Sequence, residues 1–253
     1  METSAPRARL SLLGDLELSF DGEPVPLSQP AQRVLAYLAM VHRRRPVRRS
    51  TLAERLWPET TPARASSSLR SVLWRLPRPR GRQLVSGNST VVKLHPDLSI
   101  DLWEGEELAA ALCSSEPHGP VAPDALTPLN CDLLPDWHEE WLVVEQEAYR
   151  QKRLHALERV AAQWCEDGRF TDALSAGLGA VRSEPLRESA HRRVIAVHLA
   201  EGNHAEALRQ YDGYRRLLAT ELGLPPSPEI RRMVAPLLGR PIERRGSGGH
   251  RPH

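Results

Sequence analysis

The sequence predicts a mainly helical protein with small β-sheets, and three observations lead to this prediction. Stretches of alternating apolar and polar residues near the amino terminus indicate short strands. Three helical segments and a hairpin follow these strands. Two related segments that lie 34 residues apart occupy the carboxy-terminal half. Together these observations predict a winged helix-turn-helix domain followed by an all-α, tetratricopeptide-like helical repeat domain.

The strands are predicted from two stretches. "RLSLLGDLELSFDGEPVPL" alternates with period two and turns at Gly14–Asp15 and Asp21–Gly22, which is typical of a small antiparallel sheet. "QLVSGNSTVVKL" is typical of a hairpin with Gly87–Asn88 at its tip.

Between the two stretches the sequence predicts three helices. Ser28 and Pro30 begin the first helix. Ser50 is expected to cap a second, short helix that ends before Pro58.

The third helix is predicted to be apolar on one face and rich in arginine and serine on the other. Thr61 is its expected cap, and Pro62 suits its first turn. The apolar face comprises Ala65, Leu69, Val72, Leu73 and Leu76. The opposite face and its flanks comprise Arg64, Ser67, Ser68, Arg70, Ser71, Trp74 and Arg75.

The charge of the chain is unevenly distributed. The net charge is only +2, yet residues 27–95 contain fourteen basic residues against two acidic ones, an excess of +12. From residue 104 to the end the net charge is −5. Such a basic block indicates a surface that docks on an anionic partner. A basic face that contacts only solvent is the alternative interpretation.

The order of sheet, three helices and hairpin, with the basic block upon it, predicts double-stranded DNA as the partner. Serine is small enough to let a helix enter the major groove, and arginine offers paired donors that match guanine or phosphate. The third helix would therefore be the recognition helix, unless it is an ordinary amphipathic helix with a polar outer face. The residues expected to contact the DNA backbone are Arg48, Arg49, Ser50, Thr51, Asn88, Ser89 and Thr90.

The repeat in the carboxy-terminal half is carried by "GRFTDAL" at Gly168–Leu174 and "GNHAEAL" at Gly202–Leu208. The period of 34 residues is that of tetratricopeptide helix pairs, in which small residues allow close helix crossing. Three tryptophans are expected to lie in the core of this repeat stack: Trp137, Trp141 and Trp164.

Three quoted segments resemble a known family. "LSQPAQRVLAYLAMVHRRRPVRRSTLAERLWPE" is similar to the winged helix of OmpR/PhoB-type regulators, in the form found in the actinobacterial antibiotic regulatory protein (SARP) family. "LLPDWHEEWLVVEQEAYRQKRLHALE" and "ELGLPPSPEIRRM" resemble the beginning and end of the bacterial transcriptional activator domain. One departure is that Pro77 ends the recognition helix early and "PRPRGR" replaces the basic turn of many relatives.

Sequence pattern and resemblance together imply four segments. Residues 1–112 would form the winged helix-turn-helix domain, and residues 113–128 a Pro/Ser-rich linker or loop. Residues 129–239 would form the tetratricopeptide-like activator domain, followed by a disordered tail over residues 240–253.

The resemblance implies a transcriptional activator that binds direct-repeat promoter sites as a homodimer, at least on DNA. It would recruit RNA polymerase holoenzyme to secondary-metabolite (antibiotic) biosynthesis genes. The turn before the recognition helix, with Glu59, Thr60 and Thr61, would contact the polymerase, unless it is a helix-ending turn without a partner. The alternative function is a tetratricopeptide scaffold or peptide-binding adaptor with a basic docking domain.

Other classes of function lack a signal in this sequence. No phosphate-binding loop, zinc motif or catalytic constellation occurs, so we expect no enzyme activity, cofactor or metal. The three cysteines are widely spaced, and the longest apolar run is too short to span a bilayer. We therefore expect a cytoplasmic protein without a membrane partner.

Overall fold

The structure, a computed structural model, describes residues 8–114 and 121–239. Internal contacts divide the chain into two compact units, Met1–Ala156 and Leu157–His253. The order of elements confirms the predicted fold class, a winged helix-turn-helix followed by an all-α repeat domain. The tail predicted over residues 240–253 lies outside the described residues, as do residues 115–120 of the predicted linker.

The amino-terminal sheet has four short strands in the order β3-β2-β1-β7. Its first three strands are antiparallel, as the alternating pattern predicts. The fourth strand pairs in parallel with β1, and the sequence pattern does not predict it because its partner lies about 90 residues away in the chain. The strands are β1 (Ala8–Ser11), β2 (Glu17–Phe20), β3 (Glu23–Pro24) and β7 (Leu98–Ile100).

Three helices follow the first three strands, with a two-residue strand after the first helix. Ser28 and Pro30 begin the first helix as predicted, and a π-helical turn over Leu38–His42 extends it. The elements are α1 (Gln29–Tyr37), β4 (Val47–Arg48), α2 (Arg49–Leu56) and α3 (Pro62–Arg75).

The predicted cap of α2 is wrong. The helix begins at Arg49, its N-cap residue is Arg48, and no side chain caps it, so Ser50 lies inside the first turn. The backbone N–H of Arg49 instead donates to the carbonyl of Thr90 at 2.9 Å. A partner 41 residues away therefore satisfies one of the backbone donors that the first turn of a helix leaves without an intrahelical partner.

The predicted hairpin, which we call the wing, comprises β5 (Val85–Gly87), a tip and β6 (Val91–Leu94). It forms a second sheet in the order β4-β6-β5. At the tip, Asn88 Oδ1 accepts hydrogen bonds from the N–H groups of Thr90 and Val91, at 2.8 and 3.0 Å. Gly87 has φ +151°, and a Cβ there would lie 2.2 Å from the carbonyl oxygen of Val91, so the turn requires glycine.

The first unit continues through α4 (Asp101–Cys113), 3₁₀ turns over Pro123–Asn130 and the start of α5 (Glu140–Glu166). The buried carboxylate of Asp101 accepts hydrogen bonds from the N–H groups of Leu12 and Leu13 and fixes α4 to the end of β1. The boundary between the two units lies within α5.

Two of the three tryptophans assigned to the repeat stack pack elsewhere. The Trp141 ring meets Tyr37 of α1 edge-on, with 5.0 Å between ring centroids. Trp137 also packs against the core of the first unit, so the prediction for these two residues is wrong. Trp164 is buried in the second unit. The local pattern around the three tryptophans does not distinguish the two cores, because either one offers apolar surface.

The second unit is a stack of helix pairs, and it confirms the repeat predicted from the sequence. Gly168 and Gly202 both have positive φ and both follow the end of a helix. Ala173 and Ala207, at equivalent repeat positions, are fully buried where the helices cross. The helices are α6 (Phe170–Ser183), α7 (Glu188–Glu201), α8 (His204–Leu222) and α9 (Pro228–Leu238). Among residues 8–114 and 121–239, no helix combines the length and apolarity needed to cross a membrane.

Candidate nucleic-acid interface

The α3 helix is anchored at its start and along one face. Thr61 accepts a hydrogen bond on Oγ1 from the N–H of Arg64 at 3.4 Å, as expected for the predicted cap. On the predicted apolar face, Ala65, Leu69 and Leu76 are buried, whereas the neighbouring Val72 and Leu73 are partly buried against the same core. The helix is therefore held from behind, and its opposite face is left for solvent or a partner.

The residues predicted on the outer side of α3 are exposed, apart from Ser68, which is half-buried. Trp74 is the most exposed large apolar residue in the described part of the chain, with 77% of its surface accessible. The exposed members are Arg64, Ser67, Arg70, Ser71, Trp74 and Arg75.

The wing tip and the start of α2 lie side by side. Arg48 is paired with Val91 in the ladder between β4 and β6, and the hydrogen bond from Arg49 to Thr90 continues this pairing. Two segments about 40 residues apart, both predicted to contact the DNA backbone, therefore form one continuous surface. Its exposed members are Arg48, Ser50, Thr51, Asn88, Ser89 and Thr90.

Arg49 differs from the other predicted backbone contacts because its side chain is half-buried. Its Nε atom is buried and has no hydrogen-bond partner among the described residues. The side chain lines a recess of about 160 Å³ between the end of α3 and the wing. Arg78, which is not among the predicted site residues, lines the same recess. The only sequence signal for it is the run "PRPRGR".

We call these exposed residues of α3, the start of α2 and the wing tip, together with Arg49, the basic surface. Its five arginines form no salt bridge in the described part of the chain: Arg48, Arg49, Arg64, Arg70 and Arg75. Just beyond α3, by contrast, Arg80 pairs with Asp21 and Arg82 with Asp97, at 2.7 and 3.5 Å. The basic surface therefore presents cationic, bidentate donors without internal anions, an arrangement suited to phosphates and base edges.

The turn between α2 and α3 is also exposed, but two of its three side chains have local hydrogen bonds. The Thr60 hydroxyl donates to the carbonyl of Trp57 at 3.1 Å, and Thr61 caps α3. Glu59 is exposed and forms no salt bridge within residues 8–114 and 121–239. Of the three residues predicted to contact the polymerase, Glu59 is thus the one whose side chain has no structural role in the turn.

Comparison with known proteins identifies similar sequences over nearly the whole chain. Residues 94–238 match the family described as "Bacterial transcriptional activator domain". Regulatory protein AfsR of Streptomyces coelicolor is 26% identical over 249 residues, which cover 94% of this chain and 25% of the relative. Transcriptional regulatory protein EmbR of Mycobacterium tuberculosis is 28% identical over 244 residues, which cover 90% of this chain and 63% of the relative.

A solved structure also matches the fold. The structure of Mycobacterium tuberculosis EmbR in complex with a low affinity phosphopeptide aligns with a TM-score of 0.63 and 25% identity. The alignment covers 92% of this chain and 65% of that one. The chain therefore spans about a quarter of the AfsR relative and less than two thirds of EmbR.

Proposed function

This chain belongs to the SARP family of bacterial transcriptional activators, and we propose that it activates transcription by binding specific promoter sequences through the basic surface. EmbR is named as a transcriptional regulatory protein and AfsR as a regulatory protein. The observation that carries the proposal is the set of five arginines in the basic surface without acidic partners among the described residues. Each such arginine can release a counterion when it meets a phosphate, which favours binding to DNA.

The basic surface divides into two proposed roles. The exposed side of α3 enters the major groove, where Arg64 and Arg75 contact base edges and the serines allow close approach. The start of α2 and the wing tip, which adjoin each other, contact phosphates through their exposed hydroxyls and backbone N–H groups. Phosphate contacts position the protein, and base contacts determine the sequence it selects.

The tetratricopeptide-like domain predicted over residues 129–239 is proposed to hold two copies of the protein together on a direct-repeat promoter site. Two linked DNA-binding modules engage a tandem site with a raised effective concentration, so a homodimer gains affinity without new contacts to DNA. The regulated genes are proposed to be secondary-metabolite (antibiotic) biosynthesis genes, and the protein is proposed to act in the cytoplasm without a cofactor.

The alternative is a tetratricopeptide adaptor that binds peptides and uses the basic block to dock on an acidic protein. The EmbR structure includes a phosphopeptide, which supports peptide binding as an alternative function for this chain. An electrophoretic mobility shift assay distinguishes the two functions. The probe is a set of duplexes from upstream regions of neighbouring genes, with salt and competitor DNA varied.

The double substitution Arg48→Ala/Arg49→Ala is expected to weaken binding to all duplexes alike and to make the negative slope of log K against log salt shallower by about 2. The matched control is Arg80→Ala/Arg82→Ala, which removes the same charge from arginines that are already paired with aspartates. This control should change the slope less. Equal slopes for the two double variants, or no retarded complex for the wild type, would contradict the proposed function.

Activation is proposed to depend on Glu59, whose carboxylate meets positively charged residues of RNA polymerase holoenzyme. Glu59→Lys is expected to bind the promoter as the wild type does, since the added positive charge does not repel DNA. It should nevertheless reduce transcription in an assay with purified polymerase. The matched control is Glu54→Lys, which makes the same charge change at an exposed position of α2. Full activation by Glu59→Lys at matched promoter occupancy would exclude this contact.

A further inference from the structure

Trp74 occupies the penultimate position of α3, and 77% of its surface is exposed. The described part of the chain offers its indole no hydrogen bond, ring contact or cation. Tryptophan has one of the largest apolar surfaces of any side chain, and it is highly buried on average. An indole left in solvent among arginines and serines is available for an apolar contact outside this chain.

The position of Trp74 on the helix shows which partner its indole can meet. Trp74 follows Ser71 by three residues and Ser67 by seven, so the three side chains share one face of α3. The partner that meets the two serines therefore also meets the indole. In the proposed function this partner is the major groove, whose base edges carry one apolar group, the C5-methyl of thymine.

We propose that Trp74 reads a thymine by packing its indole against the C5-methyl group, an inference that rests on the proposed DNA-binding function. Phosphate is a poorer match, because an indole carries a single N–H donor and no charge. The neighbouring Arg70 and Arg75 already supply charged donors at this end of the helix.

The spacing of residues along α3 also indicates how far the thymine lies from the base pair that Arg64 contacts. Arg64 and Trp74 are ten residues apart, which is about 15 Å along a helix that rises 1.5 Å per residue. This length corresponds to at most about four base-pair steps of 3.4 Å. The thymine therefore lies at one end of the contacted segment and the base pair read by Arg64 at the other.

The experiment removes the methyl group and the indole separately. A binding duplex is first selected from a randomised library with the wild-type protein, and each of its thymines is then replaced in turn by deoxyuridine, which lacks the C5-methyl. At one position we expect the wild type to lose affinity about fourfold, the factor that corresponds to about 0.8 kcal/mol for burial of one methyl-sized group. Trp74→Ala should bind the thymine duplex about tenfold more weakly and should no longer distinguish thymine from deoxyuridine there.

Three controls separate this role from a structural or electrostatic one. Trp74→Phe keeps an apolar ring without the N–H, so it should retain the discrimination. Trp74→Ala should keep the wild-type unfolding midpoint, because the side chain is exposed, and the wild-type salt slope, because no charge is removed. Val144→Ala, at a position of α5 that is 72% exposed, should keep both affinity and discrimination.

The outcomes distinguish this inference from the function on which it rests. Discrimination that persists in Trp74→Ala, or a selected duplex with no methyl-dependent position, overturns thymine reading but leaves DNA binding in place. A loss in Trp74→Ala that is equal for thymine and deoxyuridine duplexes also overturns it and assigns the indole to a sugar or a protein contact. Failure of the wild type to select any duplex overturns the proposed DNA binding itself.

Discussion

The arginines of the basic surface have no acidic partners among the described residues, whereas several arginines of the helical second unit are paired. In that unit the pairs are Arg169–Asp172, Arg187–Glu158, Arg192–Glu229, Arg209–Glu206 and Arg215–Asp212. Paired arginines contribute to the fold or to the solubility of a helix, and unpaired ones remain available to a ligand. The net charge of +2 therefore combines a basic surface whose arginines have no acidic partners among the described residues with a second unit in which several arginines are paired.

A buried, paired arginine should give the largest change in stability. Arg153 in α5 is 1% exposed, donates to the carbonyl of Leu129 at 3.2 Å and pairs with Asp132. Arg153→Ala leaves a cavity and an unsatisfied buried carbonyl, so it should lower the free energy of unfolding by about 3 kcal/mol. Urea unfolding followed by circular dichroism measures this change. A loss below about 1 kcal/mol would show that the pairing of Arg153 does not stabilise the first unit.

Substitution of an unpaired arginine of the basic surface should weaken DNA binding and leave the stability of the protein unchanged. Arg64→Ala or Arg75→Ala should leave the free energy of unfolding within about 0.5 kcal/mol of the wild type, because both side chains are exposed. Each should weaken binding to the selected duplex by about 1–3 kcal/mol and relax the preference at one base pair. Affinity and base preference can be measured by titrating single-substitution duplexes. Unchanged values in both variants would show that α3 is not the recognition helix.

An exposed, paired arginine should give the smallest effect of the three. Arg209 and Glu206 are 70% and 46% exposed and lie one turn apart on α8. Solvent screens such a pair, so Arg209→Ala should change the free energy of unfolding by no more than about 0.5 kcal/mol. DNA affinity at a single site should stay at the wild-type value, as judged by the same titration. A clear loss of DNA affinity would extend the functional surface into the second unit.

Sequence alone predicted the features of the candidate site that depend on neighbouring residues. Thr61 and Pro62 mark the start of α3, and the spacing of apolar residues identifies its buried face. The Gly-Asn pair at the wing tip likewise specifies the turn by local geometry. The sequence did not predict that Arg49 is half-buried against the wing, because this depends on how β4 and β6 meet.

The order of elements, the exposed face of α3 and the 34-residue repeat could therefore be predicted from the sequence, because short-range periodicity, prolines and glycines encode them. The tertiary structure decided which distant segments meet. It placed β7 beside β1 and Trp141 against Tyr37. It also brought the carboxylate of Asp101 to the backbone N–H groups that follow β1, from which it accepts hydrogen bonds. These pairings depend on the competition among many apolar and polar surfaces of similar chemistry. Only the folded chain selects the combination that buries them with their hydrogen bonds satisfied.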